Sequence, residues 1–441
     1  MNSPGDFRGN QTARRPAVVC PPKVGTCFVV ILTIAWATTP AWAQEWTRFR
    51  GPNGSGQSDT VLPAAWEPSA FRWKTRIPGE GHSSPVVWDD RLFVLSADPQ
   101  TATRYAICLD TESGHILWMR SYASVPHKLH VRSSYASSTP AVDAERVYFA
   151  WSEPNETTLL ALDHQGHQVW RLNLGKWVSQ HGFGTSPMLY NGVIYLNNSQ
   201  DGPDRQQGAA GGDSYVMAFD ARTGRELWRT PRKSDTVSYS VPCIYEPEGG
   251  KPELICLSTP EGVYSLDPET GRENWSVPTA FTMRTVSSPV IAGGLIFGTT
   301  GSGGGGNYVV AVRPDRGSPT IAYEFRKQAP YVPTPVAFGD ALFLWSDGGV
   351  VTCIDARTGQ VHYAGRVHEA GFSGSPVRAA DKIYCIADDG TLVSIAADTK
   401  ELRLLGKTPL GEMSRATPAV AGGRMYARTL SHVICLAPPA S

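Results

Sequence analysis

A small residue followed by proline recurs eight times along the 441 residues, at Pro85, Pro140, Pro187, Pro242, Pro289, Pro335, Pro376 and Pro418. The intervals run from 41 to 55 residues, the length of one supersecondary unit in a repeat architecture. After each proline comes a short apolar run, then a turn such as Asp89-Asp90, Asn191-Gly192, Gly293-Gly294 or Gly339-Asp340. A second apolar run follows, as at 91–94, 193–196, 295–297 and 341–344. Strand, tight turn and strand is the reading that this punctuation imposes, and no segment carries a sustained helical period.

A second signature closes most units: an Asp, a Gly about four residues on, and an aromatic four further. It occurs as Asp110/Gly114/Trp118, Asp220/Gly224/Trp228, Asp267/Gly271/Trp275 and Asp355/Gly359/Tyr363, and one residue shorter as Asp163/Gly166/Trp170. Asp caps the turn through nearby backbone, Gly takes the positive-φ position, and the aromatic leaves on the next strand. Four short strands per unit predict an all-β chain, an eight-bladed β-propeller of four-stranded antiparallel blades. Arg313, Ala396 and Ala437 stand where Asp is expected, and Lys400 where Gly is, yet each of those units keeps its proline-initiated strand pair. The last unit stops at Cys435-Leu436 without a fourth strand, and residues 71–75, with Trp73, match the missing one. Joining the two ends would close the ring and remove an open sheet edge.

The first 43 residues predict an export signal. Arg8, Arg14, Arg15 and Lys23 precede an uncharged apolar run at 24–37, and Ala41-Trp42-Ala43 ends an A-x-A cleavage signal. The run is too short to span a bilayer comfortably, so cleavage before Gln44 is expected rather than a membrane anchor, and with it an exported chain, periplasmic or secreted, with no transmembrane segment. Removal of residues 1–43 leaves 36 basic and 39 acidic side chains, a net charge of about −3, which attracts neither nucleic acid nor an anionic membrane. Six cysteines remain. Cys108, Cys353 and Cys435 recur at one strand position, as small core hydrophobes do, whereas Cys243 and Cys256 leave a disulfide within one unit open. The expected organisation is a signal peptide (1–43), an N-terminal extension carrying FRGPNGSG (44–69), the propeller (70–437) and a short tail (438–441).

The A-x-D-x-x-T-G-x-x-x-W pattern, as at 218–228, resembles the tryptophan-docking repeat of PQQ-like propellers, and the resemblance covers residues 70–437. Residues 46–56 resemble the opening of exported PQQ-like repeat proteins. The family includes both quinoprotein alcohol dehydrogenases and the outer-membrane assembly protein BamB, so the resemblance implies a fold and leaves the activity open. Its dehydrogenases carry an adjacent cysteine pair, calcium-ligating carboxylate and amide groups, and an Asp base. This chain has no Cys-Cys dipeptide, and only Glu80, Glu369 and Glu412 lie near strand starts. The expectation is therefore a non-catalytic, monomeric propeller that binds an envelope protein or a small ligand, with a PQQ-dependent dehydrogenase as the alternative and PQQ as the one cofactor to consider.

Strand order assigns the long insertions at 119–137, 198–213 and 298–307 to one face and the tight turns to the other. Binding concentrates on long loops held by a rigid scaffold. His82, Arg132, His181, Tyr239, Arg284, Tyr331 and Arg415 precede the prolines, so each should sit where an innermost strand starts, at the mouth of the central channel. Convergent Arg and His suit an anionic or carbonyl-rich ligand, and channel-lining residues that only bind water are the plainer alternative. Other motifs carry less. Gly301-Ser-Gly303-Gly-Gly-Gly306 leads into a strand rather than the helix a dinucleotide site needs. His127/His130 and His164/His167 lack companion ligands for a metal and are expected as surface histidines. There is no G-x-S-x-G nucleophile elbow.

Overall fold

The computed structural model describes residues 45–205, 210–315 and 318–438; the leader and its cleavage point lie outside them. Eight antiparallel sheets form in chain order, and each is one blade. Blade 1 consists of Val86–Trp88, Arg91–Ala97, Arg104–Asp110 and Ile116–Tyr122. Blades 2 to 7 repeat this meander, the innermost strand always starting at a proline. Blade 8 has three consecutive strands, Ala419–Ala421, Arg424–Arg428 and His432–Leu436, and takes its fourth, Trp73–Arg76, from the other end of the chain. The closing register pairs Trp73 with Cys435 and Arg76 with His432.

The Asp–Gly–Trp signature works between blades. Asp110 Oδ1 accepts the amides of Glu112 and Ser113, and Gly114 turns the chain at φ 74°. A side chain at Gly114 would lie 2.5 Å from the Trp73 ring. Gly166, Gly224 and Gly271 are covered in the same way by Trp118, Trp170 and Trp228. Each indole N–H then donates to a carbonyl in the turn of the next blade: Trp73 to Thr111 (3.0 Å), Trp118 to His164 (2.8 Å), Trp170 to Ala221 (3.1 Å) and Trp228 to Pro268 (3.0 Å). Trp275 is the exception. Blade 5 has Arg313 in place of Asp, and the indole donates within its own blade to Glu253 Oε2 at 2.7 Å. Tyr323 and Tyr363 take the same role in blades 5 and 6, their hydroxyls donating to Ala356 and Asp398 carbonyls. Tyr323 escapes the sequence pattern because its turn has lost the Asp.

The small residues before the prolines serve a second inter-blade device. A residue before proline is held extended, and its amide, at the inner edge of the ring, needs an acceptor. The hydroxyl of the next blade supplies it. Ser84 N–H donates to Thr139 Oγ1, Thr139 to Ser186 Oγ, Val241 to Ser288 Oγ, Ser288 to Thr334 Oγ1, Thr334 to Ser375 Oγ, Ser375 to Thr417 Oγ1, and Thr417 back to Ser84 Oγ. The circle breaks only where Val241 has no hydroxyl to offer Ser186. Between blades the core is apolar: Phe93 and Leu95 of blade 1, for example, pack with Phe149, Trp151 and Leu160 of blade 2.

The six described cysteines are free and buried, Cys243 and Cys256 included. Burial pushes the Cys243 thiol up to about 12, so it behaves as a small core group. In blade 5 the second strand runs on through Thr300, so the insertion begins at Gly301 rather than at residue 298. Among the described residues no helix is long and apolar enough to cross a membrane.

Candidate functional site

The N-terminal extension, given no role by the repeat pattern, occupies the central channel. Glu45 accepts the amide of Asp89 in a tight turn of blade 1, and Trp46 bridges Val87 on that blade's innermost strand. The chain climbs inside the ring, turns at 50–54, and descends as Gln57–Ser58, which pairs in parallel with Val377–Ala379 as a fifth strand on the inner edge of blade 7. It leaves past Tyr384, whose hydroxyl donates to the Leu62 and Pro63 carbonyls. It then passes Trp66, whose indole donates to Ala437, and reaches the closing strand.

The FRGPNGSG residues hold this plug. Arg50, fully buried, donates to the carbonyls of Thr334 (2.6 Å), Pro335 (2.8 Å) and Ser55 (3.3 Å). Arg48, also buried, donates to Pro242 at 2.7 Å. The Asn53 amide pairs with both the N–H and the C=O of Ile244. Burial lowers Arg48 to about 10 and Arg50 to about 9, and both stay charged at neutral pH. Gly51 is required at φ 67°, because a side chain there would lie 2.6 Å from the Trp46 ring.

With one end filled, the channel is a blind cavity of about 760 Å³ opening on the face that carries the long loops. Phe49 of the plug forms part of its lining. All seven residues expected at the strand starts line this one cavity: His82, Arg132, His181, Tyr239, Arg284, Tyr331 and Arg415. Each comes from a different link between blades, which explains their convergence. The pre-proline hydroxyls Ser84, Thr139, Ser186, Thr334, Ser375 and Thr417 line it too. Where they accept a neighbour's amide, their own O–H hydrogens remain free to donate.

Sequence reasoning missed three parts of the lining: Phe49, the hydroxyl circle and His130. His130 was expected as a surface histidine. It is solvent-exposed on one side, but the link from blade 1 to blade 2 folds over the mouth and stacks its ring on His181, with centroids 4.6 Å apart and planes at 18°. That link is also tied to blade 8, where Arg415 donates to the Val131 carbonyl at 3.3 Å. No local pattern predicts such a crossing. His164, by contrast, is half-buried in its turn, with Nε2 2.9 Å from the Asp143 carbonyl.

The charged side chains of the lining itself are all basic. No carboxylate is among the residues lining the cavity, whereas three arginines and three histidines are. Burial, then Arg415 and Arg428, push His82 down to about 3, so it is neutral. Arg284 donates to His181 Nε2 at 2.5 Å, which fixes His181 as neutral as well, since guanidinium has no lone pair to offer. The Nε atoms of Arg284 and Arg415 and the Nδ1 atoms of His82 and His181 are buried without a partner among the described residues. Such donors favour an oxygen-rich, negatively charged occupant. They do not fit a calcium-held quinone: the lining contains neither a carboxylate nor a cysteine.

The sequence matches the family model described as outer membrane protein assembly factor BamB over residues 41–153, 132–363 and 326–437. No curated protein matches. Among solved structures, BamB from Moraxella catarrhalis superposes with a TM-score of 0.59 at 13% identity, covering 82% of this chain and 98% of that one. A quinohemoprotein alcohol dehydrogenase from Comamonas testosteroni gives 0.61 at 14%, covering 90% and 81%. Saccharomyces cerevisiae Sqt1 gives 0.60 at 8%, covering 87% and 100%. At these identities the likeness is one of fold.

Proposed function

The chain belongs to the PQQ-like propeller family whose model is described by the assembly factor BamB, and on that premise we propose that it is an exported, non-catalytic binding propeller of the cell envelope. Its recognition face is the loop-bearing mouth. The observation that carries this reading is the blind cavity. Seven inter-blade links deliver a polar side chain to one end of a channel whose other end the N-terminal segment fills. A rigid ring of strands holds these donors in place before anything binds, which lowers the ordering cost of binding. The opposite face carries shorter connections, the longest of them residues 246–252 and 397–403, and the Asp side chains of its signature turns accept nearby backbone amides. A quinoprotein dehydrogenase would need metal-holding carboxylates, and the cavity lining has none.

A photo-crosslinker placed at Val131, which is 84% exposed on the mouth link, should capture a partner or ligand from envelope extract. The same group at Arg222, in a plain-face turn, should capture nothing above background. Equal capture at both positions, or capture at 222 alone, overturns the assignment of the recognition face.

A further inference from the structure

We propose that the mouth cavity takes a small organic dianion and takes it up together with a proton at His181, the ring stacked on His130. The inference rests on reading the mouth as the binding site, and adds the ligand's chemical class and the regulation of its binding.

The ligand class follows from the lining. Phe49, Val241, Val286 and Val332 offer apolar surface low in the cavity, and Arg132, Arg284 and Arg415 stand around it without a carboxylate. A compound with a hydrocarbon body and two or more negative groups matches both. The unpartnered Nε atoms of Arg284 and Arg415 are the donors it would satisfy.

The proton coupling follows from hydrogen-bond geometry. His181 Nε2 is occupied by the Arg284 guanidinium, and His130 Nδ1 accepts the Arg132 amide at 3.2 Å. His181 is therefore neutral, held face to face with the His130 ring. Protonating His181 at Nε2 breaks its bond to Arg284 and frees that guanidinium for the ligand.

The groups facing the pair come from several links. Arg284, from between blades 4 and 5, and Asp201 of blade 3 act on His181. The Tyr239 ring reaches in from between blades 3 and 4, its hydroxyl bonded to Ser179 and Gly182. Arg132 lies on the same link as His130, Arg415 holds Val131 from blade 8, and Asp347 of blade 6 accepts the amides of Tyr331 and Val332. In the free protein burial, Arg284 and His130 lower His181. A dianion set among these cations opposes the effect of Arg284 and raises His181, so binding takes up a proton and affinity increases as pH falls.

The test uses naphthalene disulfonate, which has no titrating group in the histidine range, with neutral naphthalene methanol as the control for the apolar body. Calorimetric titration of the mature chain should show affinity for the disulfonate rising about tenfold from about pH 8 to about pH 5.5, with net proton uptake when buffers of different ionisation heat are compared. His181→Phe keeps the stacked ring but cannot titrate. It should bind at the higher pH and lose most of the rise. Binding of the disulfonate without pH dependence, or an undiminished rise in the variant, overturns the proton coupling alone. Equal affinity for the neutral control overturns the dianion assignment. Absence of disulfonate binding at every pH overturns the dianion and its proton coupling, and leaves the crosslinking at Val131 to decide the mouth reading on its own.

Discussion

Replacing Trp73 by alanine is expected to destabilise the propeller by about 3–5 kcal/mol, the cost of emptying a large buried aromatic site. Trp73 is 8% exposed. It covers Gly114 of blade 1, donates to the Thr111 carbonyl and packs beside the Tyr426 ring at 5.9 Å. It thus joins blade 8 to blade 1 from the strand that closes the ring, which is held to the rest of blade 8 by its pairing with His432–Leu436 and not by continuous chain. Denaturant titration of the mature chain and the variant reads this out directly. Truncation at residue 79 should go further, because it removes the whole closing strand and leaves the backbone of His432–Leu436 as an open edge prone to pair with another chain. A truncated chain that melted like the full one would show that the ring does not depend on this closure.

The second large effect is expected at Arg50. Arg50→Ala leaves the carbonyls of Thr334, Pro335 and Ser55 without their donor inside the channel. At about 1–3 kcal/mol for each buried group left unpaired, partly offset by entering water, the loss should be about 2–4 kcal/mol. The change also removes a buried charge, whose burial has its own cost, and that keeps the figure below the sum of the three bonds. Hydrogen exchange should report the consequence locally. The amides of Arg378 and Ala380, bonded to Gly56 and Ser58 of the plug, should lose protection while strands in the middle of the blades keep theirs. Uniform loss across the blades would mean that Arg50 supports the whole ring rather than the plug.

Much of this fold is legible in sequence because its rules are local. Pro85 to Pro418 mark eight strand starts, and Asp110, Gly114 and Trp118 lie close enough together to be read as one turn with an outgoing anchor. The ring residues were legible for the same reason. A side chain just before an inner strand must stand at the channel mouth, so His82, His181, Arg284 and Arg415 could be placed without knowing what they touch. The plug was not legible. Arg48 finds Pro242 across 194 residues and Arg50 finds Pro335 across 285, and nothing periodic in FRGPNGSG announces such partners. The same holds for His130, whose link crosses the mouth to reach blade 3, and for Tyr323, which keeps the anchor role after its turn has lost the Asp. The hydroxyl circle lies between these cases. The small residue before each proline was visible, but its reason, an amide that only the next blade can satisfy, needs the closed ring.

Whether recognition takes place at the cationic mouth is decided by four single variants. Dissociation constants for naphthalene disulfonate, measured at fixed pH and salt, should rise for Arg284→Ala and Arg415→Ala by about 1.5–3 kcal/mol each, the range for hydrogen bonds to charged groups. Arg222→Ala and Arg357→Ala, in the turns of the other face, should leave the constant unchanged, and all four proteins should melt alike, since exposed or half-exposed charges add little to folding. Weakened binding in the two turn variants, with the two mouth variants binding like the parent, would place recognition on the opposite face instead.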